Sequence, residues 1–167
     1  MEFPEEIEVL LEKLNAPENL KEHLQIVYKT AYKLIEALQN EWHNLVINEK
    51  EILFGAATHD IGKVLAENEL YGKGSKHELL GETLLMKNGF SANFARFART
   101  HGNYQAEYLQ LEDLLVILAD KIWKGKRINL LEEQISKIIS AKTGIDFWTT
   151  NAQLDAIISD ICYASLK

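Results

Sequence analysis

Helical periodicity runs through the chain from end to end, and no segment keeps up the alternation of β-branched residues that a half-buried strand needs. Apolar residues recur three and four apart in one stretch after another: Ile7, Leu10, Leu11 and Leu14, then Leu20, Leu24, Val27, Ala31, Leu34, Ile35 and Leu38, and much later Leu154, Ile157, Ile158 and Ile161. A chain so patterned folds as an all-α protein. Its punctuation divides it into a bundle of about seven or eight helices.

Pro4 suits the first turn of one helix and Asn15 its end, and a second helix begins near Pro17 and ends near Asn40. Asn48 with Glu51, and Ser75 with Glu78 after the turn "YGKGS", have capping-box spacing and open two more. Gly62 reads as the stop of the first of these and Asn88-Gly89 as the stop of the other. Ser91 opens a helix that ends at Gly102, and the last three run over about 111–124, 130–142 and 147–165. No internal repeat is present. A length of 167 residues suffices for one core but not for two independent ones, so one domain over 1–167 is expected.

Composition narrows the function. Eighteen basic against 25 acidic residues leave a formal charge of −7, which disfavours a surface for duplex nucleic acid. The basic exception is Lys121, Lys124, Lys126 and Arg127, a cluster sized for a small anion. Cys162 is the only cysteine, so neither an intrachain disulfide nor a cysteine-rich zinc site can form. The N-terminal "MEFPEEIEVLLEKL" is acidic, and no run approaches the roughly 20 apolar residues of a bilayer span. A soluble, cytoplasmic protein is expected, with no membrane partner.

Polar residues on the apolar faces carry the chemistry. Of five histidines, His23, His59, His77 and His101 fall on inward-facing positions, each on a different helix, while His43 lies in a loop off the stripes. Asp60 and Asp120 face inward too, and no lysine or arginine shares their stripes. Burying carboxylates without cations costs several kcal/mol, so compensation by a divalent metal is expected. The empty pair of aspartates should repel, and removing Asp60 should then relieve strain in the metal-free chain. Imidazole with carboxylate suits Mn, Fe, Co, Ni or Zn, with Mg less favoured.

The segments "KEHLQIVYKTA", "AATHDIGK", "SKHELLGETLL", "RTHG" and "VILADKIWKGKR" resemble the successive motifs of the HD-domain superfamily of metal-dependent phosphohydrolases, over about 17–127, with the helices of 130–165 completing the core. The resemblance implies His23, His59, Asp60 and Asp120 as ligands of a first metal. It implies His77 and His101 as ligands of a second, with Asp60 bridging, so that a chain holds one or two divalent ions. Gly102 departs from the pattern of many two-metal members, which carry a further histidine there. Lys63 stands where one subgroup of deoxynucleoside monophosphatases has an acid, and resembles instead the "HDxxK" form, whose lysine approaches a substrate phosphate or a metal-bound water.

By that resemblance Asp60 and Lys63 are the catalytic residues and a metal-activated water is the nucleophile. Lys63 with Lys121, Lys124, Lys126 and Arg127 would bind the substrate, a nucleotide or other small phosphate ester or anhydride. Glu78, beside His77, could orient that ring. The same resemblance admits a di-iron oxygenase, and a non-catalytic nucleotide-binding regulatory module.

Overall fold

The computed structural model describes residues 2–70 and 74–165, and every regular element among them is helical. The order is α1 (Glu5–Lys13), α2 (Glu18–Glu41), α3 (Glu49–Thr58), two short 3-10 turns (Ile61–Val64 and Glu67–Glu69), α4 (Lys76–Lys87), α5 (Ala92–Thr100), α6 (Leu111–Ile122), α7 (Asn129–Thr143) and α8 (Phe147–Ser165). None of these helices is long and apolar enough to cross a membrane. Residues 71–73 of the "YGKGS" turn lie outside the described residues.

Pro4 and Pro17 each sit immediately before a helix, where a missing N–H costs nothing. Asn15 breaks α1 in the left-handed region at φ 50°, a conformation asparagine tolerates. At α3 the expected pairing forms in part: Asn48 Oδ1 accepts the Glu51 N–H at 3.3 Å and Asn48 Nδ2 donates to Glu51 Oε1 at 2.8 Å. The Asn48 N–H goes instead to Glu112 on α6, at 3.0 Å. The full reciprocal box is at α6, between Gln110 and Asp113.

Two sequence-derived assignments need correction. Ser75 and Ser91 occupy cap positions without a side-chain cap bond. Gly62 does not stop α3, which has already ended at Thr58. Gly62 is glycine because α4 lies directly on it: a Cβ there would strike the His77 carbonyl oxygen and the Gly81 backbone.

Helix α6 is the axis of the larger of two hydrophobic clusters. Leu114, Leu115, Val116, Ile117, Leu118 and Ala119 are all essentially solvent-free, and they pack against Leu34 and Leu38 of α2, Ile52 of α3, Ile135 of α7 and Ile158 of α8. At about 1.5–3 kcal/mol for each large apolar side chain removed from water, this helix contributes heavily to the stability of the fold. The smaller cluster joins Ile7 and Leu11 of α1 to Leu24 of α2, Phe54 and Ala57 of α3, Leu85 of α4 and Ala98 of α5. Helices α2 and α3 serve both clusters, and the polar residues gather where these two meet α4, α5 and α6.

Candidate metal centre

The centre begins with a change of helix type. After Thr58 the chain leaves the α-helical path: His59 caps α3, Asp60 adopts φ −102° and ψ 6°, and a 3-10 turn follows. Adjacent side chains on an α-helix diverge by about 100°. The break lets His59 and Asp60, 1% and 5% exposed, serve one locus. Gly62 and Gly81 let α4 close on the turn with backbone nearly touching backbone, which carries His77 to Asp60. Helix α5 ends by presenting His101 as its cap.

Around Asp60 the imidazoles form two facing pairs. His23 Nε2 lies 3.2 Å from His59 Nε2, and His77 Nε2 lies 3.1 Å from His101 Nε2. The Asp60 carboxylate stands between them. Its Oδ2 is 3.3 Å from His23 and 3.7 Å from His59, while its Oδ1 is 3.3 Å from His77 and 3.1 Å from His101. Asp120 Oδ1 joins the first pair, at 3.5 Å from His23 and 3.8 Å from His59. The structure thus brings His23, His59 and Asp120 into one cluster able to hold a metal, and Asp60, His77 and His101 into a second.

The far ring nitrogens fix what the near ones can do. His59 Nδ1 donates to the Ala56 carbonyl at 3.1 Å, His101 Nδ1 to the Ala98 carbonyl at 2.9 Å, and His77 Nδ1 to Glu69 Oε2 at 2.6 Å. A neutral imidazole that donates from Nδ1 presents a lone pair at Nε2. With both rings neutral, the lone pairs of His77 and His101 point at one another, an arrangement that repels unless a proton or a metal cation lies between. Two nitrogens held by one ion at about 2.0–2.1 Å, at right angles or somewhat wider, sit about 2.9–3.4 Å apart. The observed separations fall within that span.

Burial pushes Asp60 toward the neutral form, but its interactions with His59, His101, His23 and His77 outweigh it and hold the carboxyl well below its ordinary range. Asp120 is likewise lowered: burial opposes, and His59 and Lys121 prevail. At His59 burial prevails: Asp60 and Asp120 favour the charged ring but do not offset it, and its pKa is driven down to about 4. His77 moves the other way, because Asp60 and Glu69 outweigh the effect of burial and favour its charged form.

The expectation that no cation shares the aspartates' surroundings is overturned. Lys63 Nζ is 2.6 Å from Asp60 Oδ2, and Lys121 Nζ is 2.6 Å from Asp120 Oδ2, with Lys124 Nζ 3.8 Å from the other Asp120 oxygen. In a 3-10 turn residues three apart eclipse one another, so Lys63 stands directly over Asp60. Lys121, next in sequence to Asp120, reaches back by its flexible stem. With both carboxylates partnered, the reason to expect relief on removing Asp60 is gone, and a loss of stability is expected instead.

The basic cluster divides. Lys121 and Lys124 lie at Asp120 and Lys126 is exposed, but Arg127 is turned away. Its guanidinium bonds Glu132 at 2.9 and 2.6 Å, Asp155 at 2.6 Å and Ser159 at 3.1 Å, tying α7 to α8. His43 is exposed and bonds the Gln39 carbonyl. Glu78 does not orient His77. Its carboxylate lies over Gly102, where a Cβ would collide with it, and Glu69 takes the His77 ring instead. Glu69 went unnoticed in the sequence because its only signal is an acid eight residues before a histidine. Trp123 packs its ring on His23, with centroids 5.6 Å apart.

A family model for the HD domain matches residues 20–125, well over half of the chain. Nothing matches among the curated proteins or among the solved structures.

Proposed function

The chain belongs to the HD-domain family, and from that premise we propose that it is a metal-dependent phosphohydrolase whose substrate is a nucleotide or another small phosphate ester or anhydride. The observation that carries the reading is the facing of His77 and His101 through Nε2 at 3.1 Å while both Nδ1 atoms are engaged elsewhere. His23, His59 and Asp120 with Asp60 Oδ2 would hold one divalent ion, and His77 and His101 with Asp60 Oδ1 a second. Mn, Fe, Co, Ni and Zn suit this donor set better than Mg. A divalent cation in such surroundings supplies Lewis acidity at a phosphoryl oxygen and brings the pKa of a water near neutrality.

The chain's own residues do the rest. Asp60, shared by both clusters, keeps them at a fixed separation. Lys63 combines a 2.6 Å contact to Asp60 with a side chain 22% exposed, so its charge borders both the buried carboxylate and an arriving phosphoryl group, whose developing charge it stabilises. Lys121 and Lys124 extend that positive edge along Asp120 toward a more distant phosphate. His59, buried and lowered to about 4, stays neutral at physiological pH and keeps its lone pair free. A reducing cytoplasm suits a chain whose one thiol is Cys162.

The test is elemental analysis of protein purified without added metal, followed by a phosphate-release screen over nucleotides with each candidate ion, in air and under anaerobic conditions. The reading expects at least one transition metal per chain and oxygen-independent phosphate release. Protein that takes up none of Mn, Fe, Co or Ni would overturn it, and turnover that consumes dioxygen and requires iron would replace it with an oxygenase.

A further inference from the structure

Glu69 stands outside both clusters yet is built into one of them. It ends the second 3-10 turn, is 9% exposed, and makes three hydrogen bonds across the start of α4. Its Oε2 accepts from His77 Nδ1 at 2.6 Å and from the His77 backbone N–H at 3.0 Å, and its Oε1 accepts the Lys76 N–H at 3.2 Å. The first turn of α4, which Ser75 does not cap, is therefore capped by a carboxylate from a different element. The same carboxylate fixes the direction of the His77 ring.

Gly74 supplies a second observation. A Cβ at this position would overlap the Glu69 carboxylate carbon and oxygen, so the seat of Glu69 exists only because residue 74 has no side chain. The other rings are backed differently. His59 and His101 lean on backbone carbonyls of their own helices, which are weaker acceptors than a carboxylate. Of these three, only His77 has an anion behind it. A carboxylate at the far nitrogen holds the tautomer and makes the near nitrogen a better donor to a cation.

We infer that Glu69 is the positioning residue that gives the Asp60–His77–His101 cluster its affinity for a cation, so that this second position is filled even though Gly102 supplies no further ligand. The inference rests on the metal-binding reading of the site. It adds that the two positions depend on different supports: the first on helices α2, α3 and α6, the second on the seat formed by Glu69 and Gly74. Loss of that seat should weaken binding at the second position alone.

The experiment is Co²⁺ titration of metal-free full-length protein, followed by visible absorption and calorimetry. Wild type should take up two ions. Glu69→Gln keeps an oxygen for capping and for the ring N–H but loses the charge. It should bind the first ion as wild type does and the second roughly 10–100-fold more weakly, with unchanged helical circular dichroism and altered visible bands from the second ion. Gly74→Ala, which leaves Glu69 chemically intact, should weaken the second ion in the same way. A purely structural cap would lower the melting temperature of the metal-free variants and leave their second-site affinity and spectrum unmoved, and that result overturns the inference. So does a wild type that binds a single ion. A wild type that binds none removes the metal-site reading itself.

Discussion

Acidification of the metal-free protein probes the buried imidazole of His59 directly. Its pKa falls from 6.5 in a solvated chain to about 4 in the fold, because a fully buried ring cannot accept charge cheaply. As pH drops below the ordinary histidine value, the unfolded chain takes up this proton and the folded chain does not, so stability decreases through the window and the loss is complete near the folded value. A tenfold change in proton affinity is worth about 1.4 kcal/mol, and a descent from 6.5 to about 4 corresponds to roughly 3 kcal/mol in all. The other shifted groups act mainly elsewhere. His77 is raised, so its contribution is fully present at low pH and is lost as pH rises through its folded value. Asp60 and Asp120 are lowered, so theirs is lost only as pH falls below the ordinary carboxylate range. Urea unfolding of chelated protein at about pH 6 and about pH 4.5 should show a loss near 2 kcal/mol from this residue alone. His59→Gln, with no ring to protonate, should lack that portion whatever its starting stability. An equal fall in wild type and variant would refute the argument.

Lys63→Ala should reduce phosphate release by roughly 10²-fold, as removal of a positioned charge-stabilising donor does, with metal content retained because Lys63 competes for Asp60 Oδ2 and donates nothing to a cation. Metal analysis beside rate measurement checks both. Arg127→Ala should leave turnover intact and lower stability by about 2 kcal/mol, since Glu132 loses its charged partner, as read by chemical denaturation. Asp60→Ala should abolish metal-dependent stabilisation and also lower the melting temperature of the chelated protein, by about 3 kcal/mol of stability or more, because Lys63 loses its buried partner. An unchanged chelated melt would return the two aspartates to mutual repulsion.

The helices were legible because their signals are local. Apolar spacing, Pro4, Pro17 and Asn15 act within one turn of where they stand, and the boundaries they imply lie close to those observed. The inward histidines were legible for the same reason, as polar residues on apolar stripes. What escaped depends on contacts between elements. Nothing local in "HDIGK" forbids an α-helix continuing to Gly62. The backbone of α4 lying on Gly62 accompanies the 3-10 turn, and that turn aligns Lys63 with Asp60. Arg127 looked free because its acids come from Glu132 on α7 and Asp155 on α8, the second of them 28 residues away. Glu69 was hidden because a cap supplied from another element leaves no spacing rule to read.

Charge balance links these missed contacts to the chemistry. Three carboxylates, Asp60, Asp120 and Glu69, surround the two clusters, and three lysines, Lys63, Lys121 and Lys124, lie against the first two of them. With the imidazoles neutral, the metal-free locus is close to electroneutral, which lowers the cost of burying the aspartates. Divalent ions held at that locus would make it strongly positive within a chain whose overall charge is −7. On the proposed reading, a polyanionic phosphate would then be drawn to this one locus and repelled by most of the remaining surface. The lysines are partners of the carboxylates in the metal-free fold, and on the proposed reading they would also be the positive edge that a phosphate meets. A neutral residue at position 63 would forfeit both roles, whereas arginine would keep the charge but not the compact single contact to Asp60 Oδ2.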